Sequence, residues 1–287
     1  MRLSDNWKDY ELIDTSSGER LERWGDIILI RPDPQIIWDT DKKDPLWRSA
    51  HARYHRSNKG GGYWETYKKV PDRWTVGYRD LTFNIKPMGF KHTGVFPEQA
   101  VNWDFAAEKI RNARRELKIL NLFGYTGCAT LSCMQAGASV CHVDASKGMV
   151  QWAKENRELS RLPEDRFRWI VEDALRFVQR ELRRGNSYDG ILMDPPSYGR
   201  GPSGEVWKLE NELYGLIETS AQALSAEPLF FLINSYTTGF QASVLSNMLE
   251  KCVVSRFGGT VDSEELCLPV TAGGVLPCGA SGRWQRG

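Results

Sequence analysis

A CxxC pair, an unbroken run of about 18 apolar residues, an internal repeat and a low-complexity tract are all missing from this chain. Each absence closes a class of protein. The six cysteines, Cys128, Cys133, Cys141, Cys252, Cys267 and Cys278, are scattered, three of them in strongly apolar surroundings, which argues against a disulfide framework or a zinc knuckle and for core packing. Without a long apolar run or a signal-peptide pattern, nothing suggests membrane insertion or export, and the chain reads as cytoplasmic. Net charge is lacking too: 38 Lys and Arg face 37 Asp and Glu, so no global field draws the protein to nucleic acid. Histidine is scarce, with four residues; His51 and His55 have the spacing of a two-histidine helical metal site but no third ligand nearby, so no metal is expected.

What is present is a contrast between two halves. At 287 residues the chain exceeds the usual single domain, which predicts one substantial domain and a smaller one. Over residues 1–90 the apolar residues come in short alternating runs broken by Gly, Pro and Asp. Asp26 to Pro34, Gly62 to Pro71 and Arg73 to Pro87 read as short strands of a small β-rich domain. Residues 42–91 hold 12 Lys or Arg against four Asp or Glu, from Lys42 through Lys59 to Lys91, interleaved with Trp47, Tyr54, Tyr63, Trp64, Tyr67, Trp74, Tyr78 and Phe83. Two readings fit this pattern. Cations for phosphates beside rings for bases make a nucleic-acid surface, and rings as the core of a small β domain with cations as its solvated face make an ordinary one.

From residue 91 to 287 hydrophobic strands alternate with amphipathic helices. Strands are expected at Lys118 to Phe123, Ser139 to Asp144, Phe167 to Asp173, Tyr188 to Asp194 and Pro228 to Ser235. Helices are expected near Glu98 to Glu116, from Cys128, over Lys147 to Leu159, up to Arg184, and over Val206 to Leu224 and Gln241 to Glu250. Such alternation predicts an α/β fold with a Rossmann-like, doubly wound, mainly parallel sheet. Short strands around Glu265 to Leu268 and Val275 to Cys278 predict a closing antiparallel hairpin.

Ligands of such sheets collect beyond the carboxyl ends of the strands. The first strand runs into NLFGYTGCATL, where Gly124 and Gly127 permit close approach of a ligand to the backbone at the strand-to-helix turn; the next three end at Asp144, Asp173 and Asp194. A carboxylate about twenty residues after a glycine turn is placed to accept from ribose hydroxyls, which suits Asp144. Asp173 either accepts from an adenine amine, with Ala174 and Leu175 against the ring, or caps the following helix, and the two roles can coexist. The turn GYTGCA lacks the GxGxxG spacing that seats a pyrophosphate, which weakens a dinucleotide reading. The stretch DPPSYGRG adds a carboxylate stiffened by Pro195 and Pro196, neither of which offers an N–H, with the ring of Tyr198 four positions after Asp194. A fixed acceptor beside a stacking face suits a planar amine or base.

NLFGYTG, HVDAS, VEDALRFV and DPPSYGRG, in this order and spacing, resemble the class I S-adenosylmethionine-dependent methyltransferases, and among them the group of bacterial large-subunit ribosomal RNA enzymes that form 5-methylcytosine and 7-methylguanine. KHTGVFPEQAVNW (Lys91 to Trp103) resembles the segment before the first core strand of that group, which helps close over the cofactor. The resemblance runs from about Lys91 to the C-terminus and does not extend to the preceding region. It implies S-adenosylmethionine as cofactor and S-adenosylhomocysteine as product. Phe123, Gly124, Tyr125, Thr126 and Gly127 would cradle the methionine part, Asp144 the ribose, Asp173 the adenine, and Asp194, Pro195, Pro196 and Tyr198 the acceptor, with Phe96 and Gln99 as further cofactor contacts. Forming 5-methylcytosine needs a cysteine thiolate in the motif after the fifth strand or beside the first proline of the fourth. Those places read INSYTTG and DPPSYG, without cysteine, which turns the expectation to a base nitrogen in RNA. Methylation of a small molecule or protein side chain, and a non-catalytic cofactor- or RNA-binding module, are the alternatives. Arg200 and Lys208 are candidates for phosphate contact or for plain surface positions.

Overall fold

The structure is a computed structural model that describes residues 1–57, 61–200, 206–237 and 239–287, without the side chain of Arg200. Lys59, Gly201 of the DPPSYGRG stretch and Thr238 of INSYTTG lie outside the described residues. In chain order the elements are β1 (Arg2–Leu3), β2 (Tyr10–Ser16), β3 (Glu19–Trp24), β4 (Ile27–Pro32), α1 (Leu46–Ser49), β5 (Ala52–Arg56), β6 (Gly62–Thr66), β7 (Trp74–Tyr78) and β8 (Leu81–Ile85). Then come α2 (Ala100–Ala113), β9 (Lys118–Leu122), α3 (Cys128–Gln135), β10 (Ser139–Asp144), α4 (Lys147–Leu159), β11 (Phe167–Val171), α5 (Ala174–Arg183) and β12 (Gly190–Met193). The last are β13 (Tyr198–Arg200), β14 (Val206–Lys208), α6 (Leu209–Gln222), β15 (Phe230–Ser235), α7 (Ala242–Leu249), α8 (Ser255–Phe257), β16 (Thr260–Pro269) and β17 (Val275–Gln285). No helix among the described residues is long and apolar enough to cross a membrane.

The chain divides into two compact units. One holds residues 3–100 and 267–278, the other residues 1–2, 101–266 and 279–287. This differs from a simple cut at 90/91: the Lys91-to-Gln99 segment and the tip of the β16–β17 hairpin count with the N-terminal unit. In that unit Arg31 donates to the Lys91 carbonyl, the Ser4 hydroxyl and the Trp7 indole both donate to the Pro97 carbonyl, and Thr271 and Ala272 donate from their amides to Leu12 and Ile13.

The N-terminal unit is built on a five-stranded sheet, order β2-β3-β4-β5-β6, and the separate hairpin β7-β8. Of the rings in the basic segment, Tyr54, Tyr78 and Phe83 are core, as the second of the two readings expects, whereas Tyr63 and Tyr67 are exposed. A fully buried Glu22 on β3 accepts two hydrogen bonds from Arg31 and one from the Tyr10 hydroxyl. Burial alone would raise its pKa, but the guanidinium groups of Arg31 and Arg20 hold it at about 2. His51 and His55 share no helix, contrary to the spacing argument. His55 lies on β5, and His51, just before it, accepts from the Ile28 amide.

The second unit carries the main sheet, order β1-β16-β17-β15-β12-β9-β10-β11. Strands β15, β12, β9, β10 and β11 are parallel neighbours, and β17 runs antiparallel to β15. Alternation along each strand sends side chains to two cores. Leu120, Leu122, Ile191, Met193, Phe231 and Ile233 pack with α5, α6 and α7, while Ile119, Val140, Leu192, Phe230 and Leu232 pack with α2 and α3. With both faces covered, the central strands read as continuous apolar runs such as GILM and FFLI. The protein is an α/β fold with a doubly wound, mainly parallel sheet, a C-terminal hairpin and a separate β-rich N-terminal sheet. Strand order reverses between β9 and β12, and beyond their carboxyl ends a doubly wound sheet opens a crevice.

Candidate cofactor and acceptor site

Register fixes the height of each strand tip. Leu122 pairs with both Val143 and Met193, so Phe123, Asp144 and Asp194 stand level, one residue further on, at the tips of three adjacent strands. At about 4.8 Å between strands, Asp144 and Asp194 flank β9 roughly 10 Å apart. Asp173 lies beyond β11, which ends at Val171.

The turn after β9 is tightly wound. Phe123 and Tyr125 have left-handed φ values of 56° and 51°, and Gly127 has φ 86°. Two side chains of the adjoining elements determine why glycine is needed here. A Cβ on Gly124 would lie 2.4 Å from the His142 ring, and one on Gly127 would lie 2.8 Å from the Ala153 Cβ. On the side a Cβ would occupy, the space is taken by the protein's own His142 and Ala153 behind the turn. His142 is wholly buried. Its Nδ1 is 2.9 Å from the Thr130 hydroxyl, which accepts from the Asn121 amide, so the three side chains form one buried hydrogen-bonded chain. Burial holds the His142 pKa at about 3, which keeps the ring neutral. Thr126 is buried as well, and its carbonyl accepts from Asn156.

Asp144 ties this turn to the next. Its Oδ2 accepts from the Tyr125 amide at 2.9 Å and its Oδ1 from the Ser146 amide at 2.8 Å. Burial raises its pKa, and these two amides pull the other way. Each carboxylate oxygen has a second lone pair, so acceptor capacity remains for hydroxyl donors. Asp173 caps α5, accepting from the Arg176 amide at 2.9 Å. Ala174 is buried in the core behind it, and Leu175 packs half-buried against the same core.

The acceptor turn is braced from three sides. The Trp207 indole donates to the Pro196 carbonyl at 2.6 Å while its ring lies 5.7 Å from Phe123. The Thr237 hydroxyl donates to the Ser197 hydroxyl at 2.6 Å, and the Leu209 amide donates to the Ser197 carbonyl. Pro195 is buried, Pro196 and Ser197 are exposed, and Tyr198, 52% exposed, pairs with Lys208 in the β13–β14 hairpin. Sequence reasoning missed Trp207, Thr237 and His142. Trp207 lay inside what read as a helix, and only its indole N–H near a proline-rich turn hinted at another use. Phe96 and Gln99 belong to the other unit, where Gln99 is buried and Phe96 tilts against His92. A separate cavity of about 240 Å³ opens at the opposite, amino ends of the strands, lined by Lys118, Ser139, Phe167 and Tyr188 among others.

A doubly wound parallel sheet with level acidic strand tips around a tight turn defines a nucleoside-cofactor domain. The donor set fits S-adenosylmethionine: Asp144 retains acceptor sites for a ribose diol. The chain is 37% identical to a SAM-dependent methyltransferase from Agrobacterium tumefaciens of known crystal structure, with TM-score 0.94 over 99% of this chain and 93% of that one. It is also 25% identical over 214 residues to a ribosomal RNA large subunit methyltransferase K/L from Colwellia psychrerythraea, and 25% identical over 216 residues to a ribosomal RNA large subunit methyltransferase K from Neisseria meningitidis. These matches cover 74% and 72% of this chain but only 27% and 60% of those relatives. No family model matches the sequence. The chain belongs to the class I S-adenosylmethionine-dependent methyltransferases and resembles their large-subunit ribosomal RNA group.

Proposed function

We propose that this protein transfers the methyl group of S-adenosylmethionine to a nitrogen of a base in RNA, in the cytoplasm. The observation that carries the reading is the placement of Asp144, bonded to the Tyr125 turn, level with the braced Asp194–Tyr198 turn on the far side of β9. The names of the ribosomal RNA relatives support RNA as substrate. When bound, the cofactor supplies an electrophilic methyl on a sulfonium, which needs no metal. Phe123, Gly124, Tyr125, Thr126 and Gly127 would hold its methionine part, Asp144 would accept from the ribose hydroxyls, and Asp173 with Ala174 and Leu175 would receive the adenine. Asp194 accepts from the amine of the target base, Pro195 and Pro196 keep that carboxylate in place, and Tyr198 stacks on the extruded ring. Alignment of this kind is worth up to roughly 7–11 kcal/mol in well-oriented models.

Five of the six thiols support nitrogen over the C5 carbon of cytosine. Burial raises the pKa of Cys128 and Cys133 to about 12 and of Cys141 to about 11, and raises those of Cys252 and Cys278 as well, which disfavours a thiolate nucleophile. The test is transfer of labelled methyl to RNA from a strain lacking the gene, followed by mass spectrometry of nucleosides. Asp144→Ala should raise the dissociation constant of S-adenosylhomocysteine in calorimetry by about tenfold or more. Asp194→Ala should keep that affinity and lose transfer. Full activity of Asp194→Ala, or label recovered as 5-methylcytosine, refutes the assignment.

A further inference from the structure

The edge of the five-stranded sheet in the N-terminal unit carries an arrangement that the methyl-transfer site does not use. Strand β6 is the edge strand, and its register with β5 sets His55 opposite Tyr63 and Arg53 opposite Glu65. Alternation puts Tyr54 and Trp64 on the other face, where Tyr54 is core and the two rings meet edge to face at 5.3 Å. Tyr63, Glu65 and Tyr67 therefore share a face with Arg53 and His55.

This outer row is organised, not a scatter of surface residues. The Tyr63 ring, 63% exposed, lies stacked on His55 at 5.0 Å between centroids and 21° between planes. The Tyr67 ring, 51% exposed, is tethered through its hydroxyl to Glu65 Oε2 at 2.6 Å, and His55 Nε2 meets the same oxygen at 2.7 Å. One carboxylate thus fixes the orientation of the imidazole under Tyr63 and of the Tyr67 phenol, so little side-chain freedom remains to be lost on binding. Positive charge lies near this row: Arg53, on the same face, bridges to Glu19 at 2.6 Å, and Lys69, two residues past Tyr67, is exposed.

We propose that this face is a stacking platform for single-stranded RNA, a surface that rests on the RNA reading given above and extends it. A tyrosine backed by a parallel imidazole presents one open π-face, which every base can use, and nearby cations offset the phosphate charge. Tyr63 and Tyr67 are four residues apart, about 13 Å along an extended strand. That separation exceeds the roughly 7 Å reach of a stacked ring pair, so each ring takes a different base of the same strand. Duplex RNA, whose bases are already stacked within the helix, offers no free face to either ring.

The test uses the full chain, a fluorescein-labelled oligouridylate and the same strand annealed into a duplex. The wild type should bind the single strand more tightly than the duplex. Tyr63→Ala and Tyr67→Ala should each raise the dissociation constant for the single strand, by about fivefold or more, with the double variant weaker still. Tyr63→Phe, which keeps the ring, should bind as the wild type does. Affinity for S-adenosylhomocysteine and the thermal midpoint should be unchanged, since both tyrosines are exposed. If the wild type methylates RNA while the double alanine variant binds the oligonucleotide equally well, the platform is wrong and the RNA reading stands. A wild type that neither binds nor methylates any RNA overturns both.

Discussion

Gly124 shows how a residue that reads as a ligand contact can be constrained from the opposite side. Its missing Cβ leaves room for the His142 ring, and the Asn121–Thr130–His142 chain of hydrogen bonds keeps that ring where it is. Gly124→Ala should cost about 1–3 kcal/mol of stability through overpacking, read as a lowered midpoint in urea. Adding His142→Ala to the same chain should return part of that loss, because the two residues are in contact and their effects couple; simple additivity would show that the clash is relieved elsewhere. The sequence made the glycines, the level carboxylates and the double proline visible because each is a local signal of backbone shape or charge. It hid His142, because a histidine two residues before Asp144 on an apolar strand looks like any other core position until the turn is folded over it.

At the scale of elements, the second unit was largely legible and the first was not. The helix expected over Lys147 to Leu159 appears as α4 with those bounds, with Ser146 as its cap, because a single amphipathic period runs between clear signals. The stretch expected to be one helix from Val206 instead begins with strand β14 and becomes helical at Leu209. The cause is tertiary: Val206, Trp207 and Lys208 pair with Arg200, Gly199 and Tyr198, which turns Trp207 toward Pro196. In the N-terminal unit β2 and β3 went unseen because charged residues, Asp14 on the one and Arg20 and Glu22 on the other, occupy buried strand positions and break the alternation. The role of β14 is testable with Trp207→Phe, which keeps a ring against Phe123 but deletes the bond to the Pro196 carbonyl. Its kcat should fall by roughly ten- to a hundredfold, with the dissociation constant of S-adenosylhomocysteine unchanged. An unaltered kcat would remove the brace from the mechanism.

For the whole molecule, three buried groups make stability depend on acid in the same sense. Burial and neighbouring cations hold His92, and burial holds His142, at about 3, against 6.5 when unfolded; Glu22 stands at about 2 against 4.5. In each case the unfolded chain takes up a proton at a higher pH than the folded one. Stability therefore rises with pH across these windows and drains away as pH falls, first below about 6.5 through the histidines and then between about 4.5 and 2 through Glu22. His142 alone should contribute a slope of about 1.4 kcal/mol per pH unit below 6.5. Urea midpoints measured from neutral pH down to about pH 4 should show this decline, and a flat profile would contradict it. The division of the chain has a further consequence for how the protein is made. The unit that opens the sequence is completed by residues 267–278, whose amides at Thr271 and Ala272 bond to Leu12 and Ile13. Residues 267–278 are synthesised only after the whole intervening stretch 101–266, so during translation the 3–100 portion must wait for its own partner segment while another unit emerges, a delay that domains of contiguous sequence are spared.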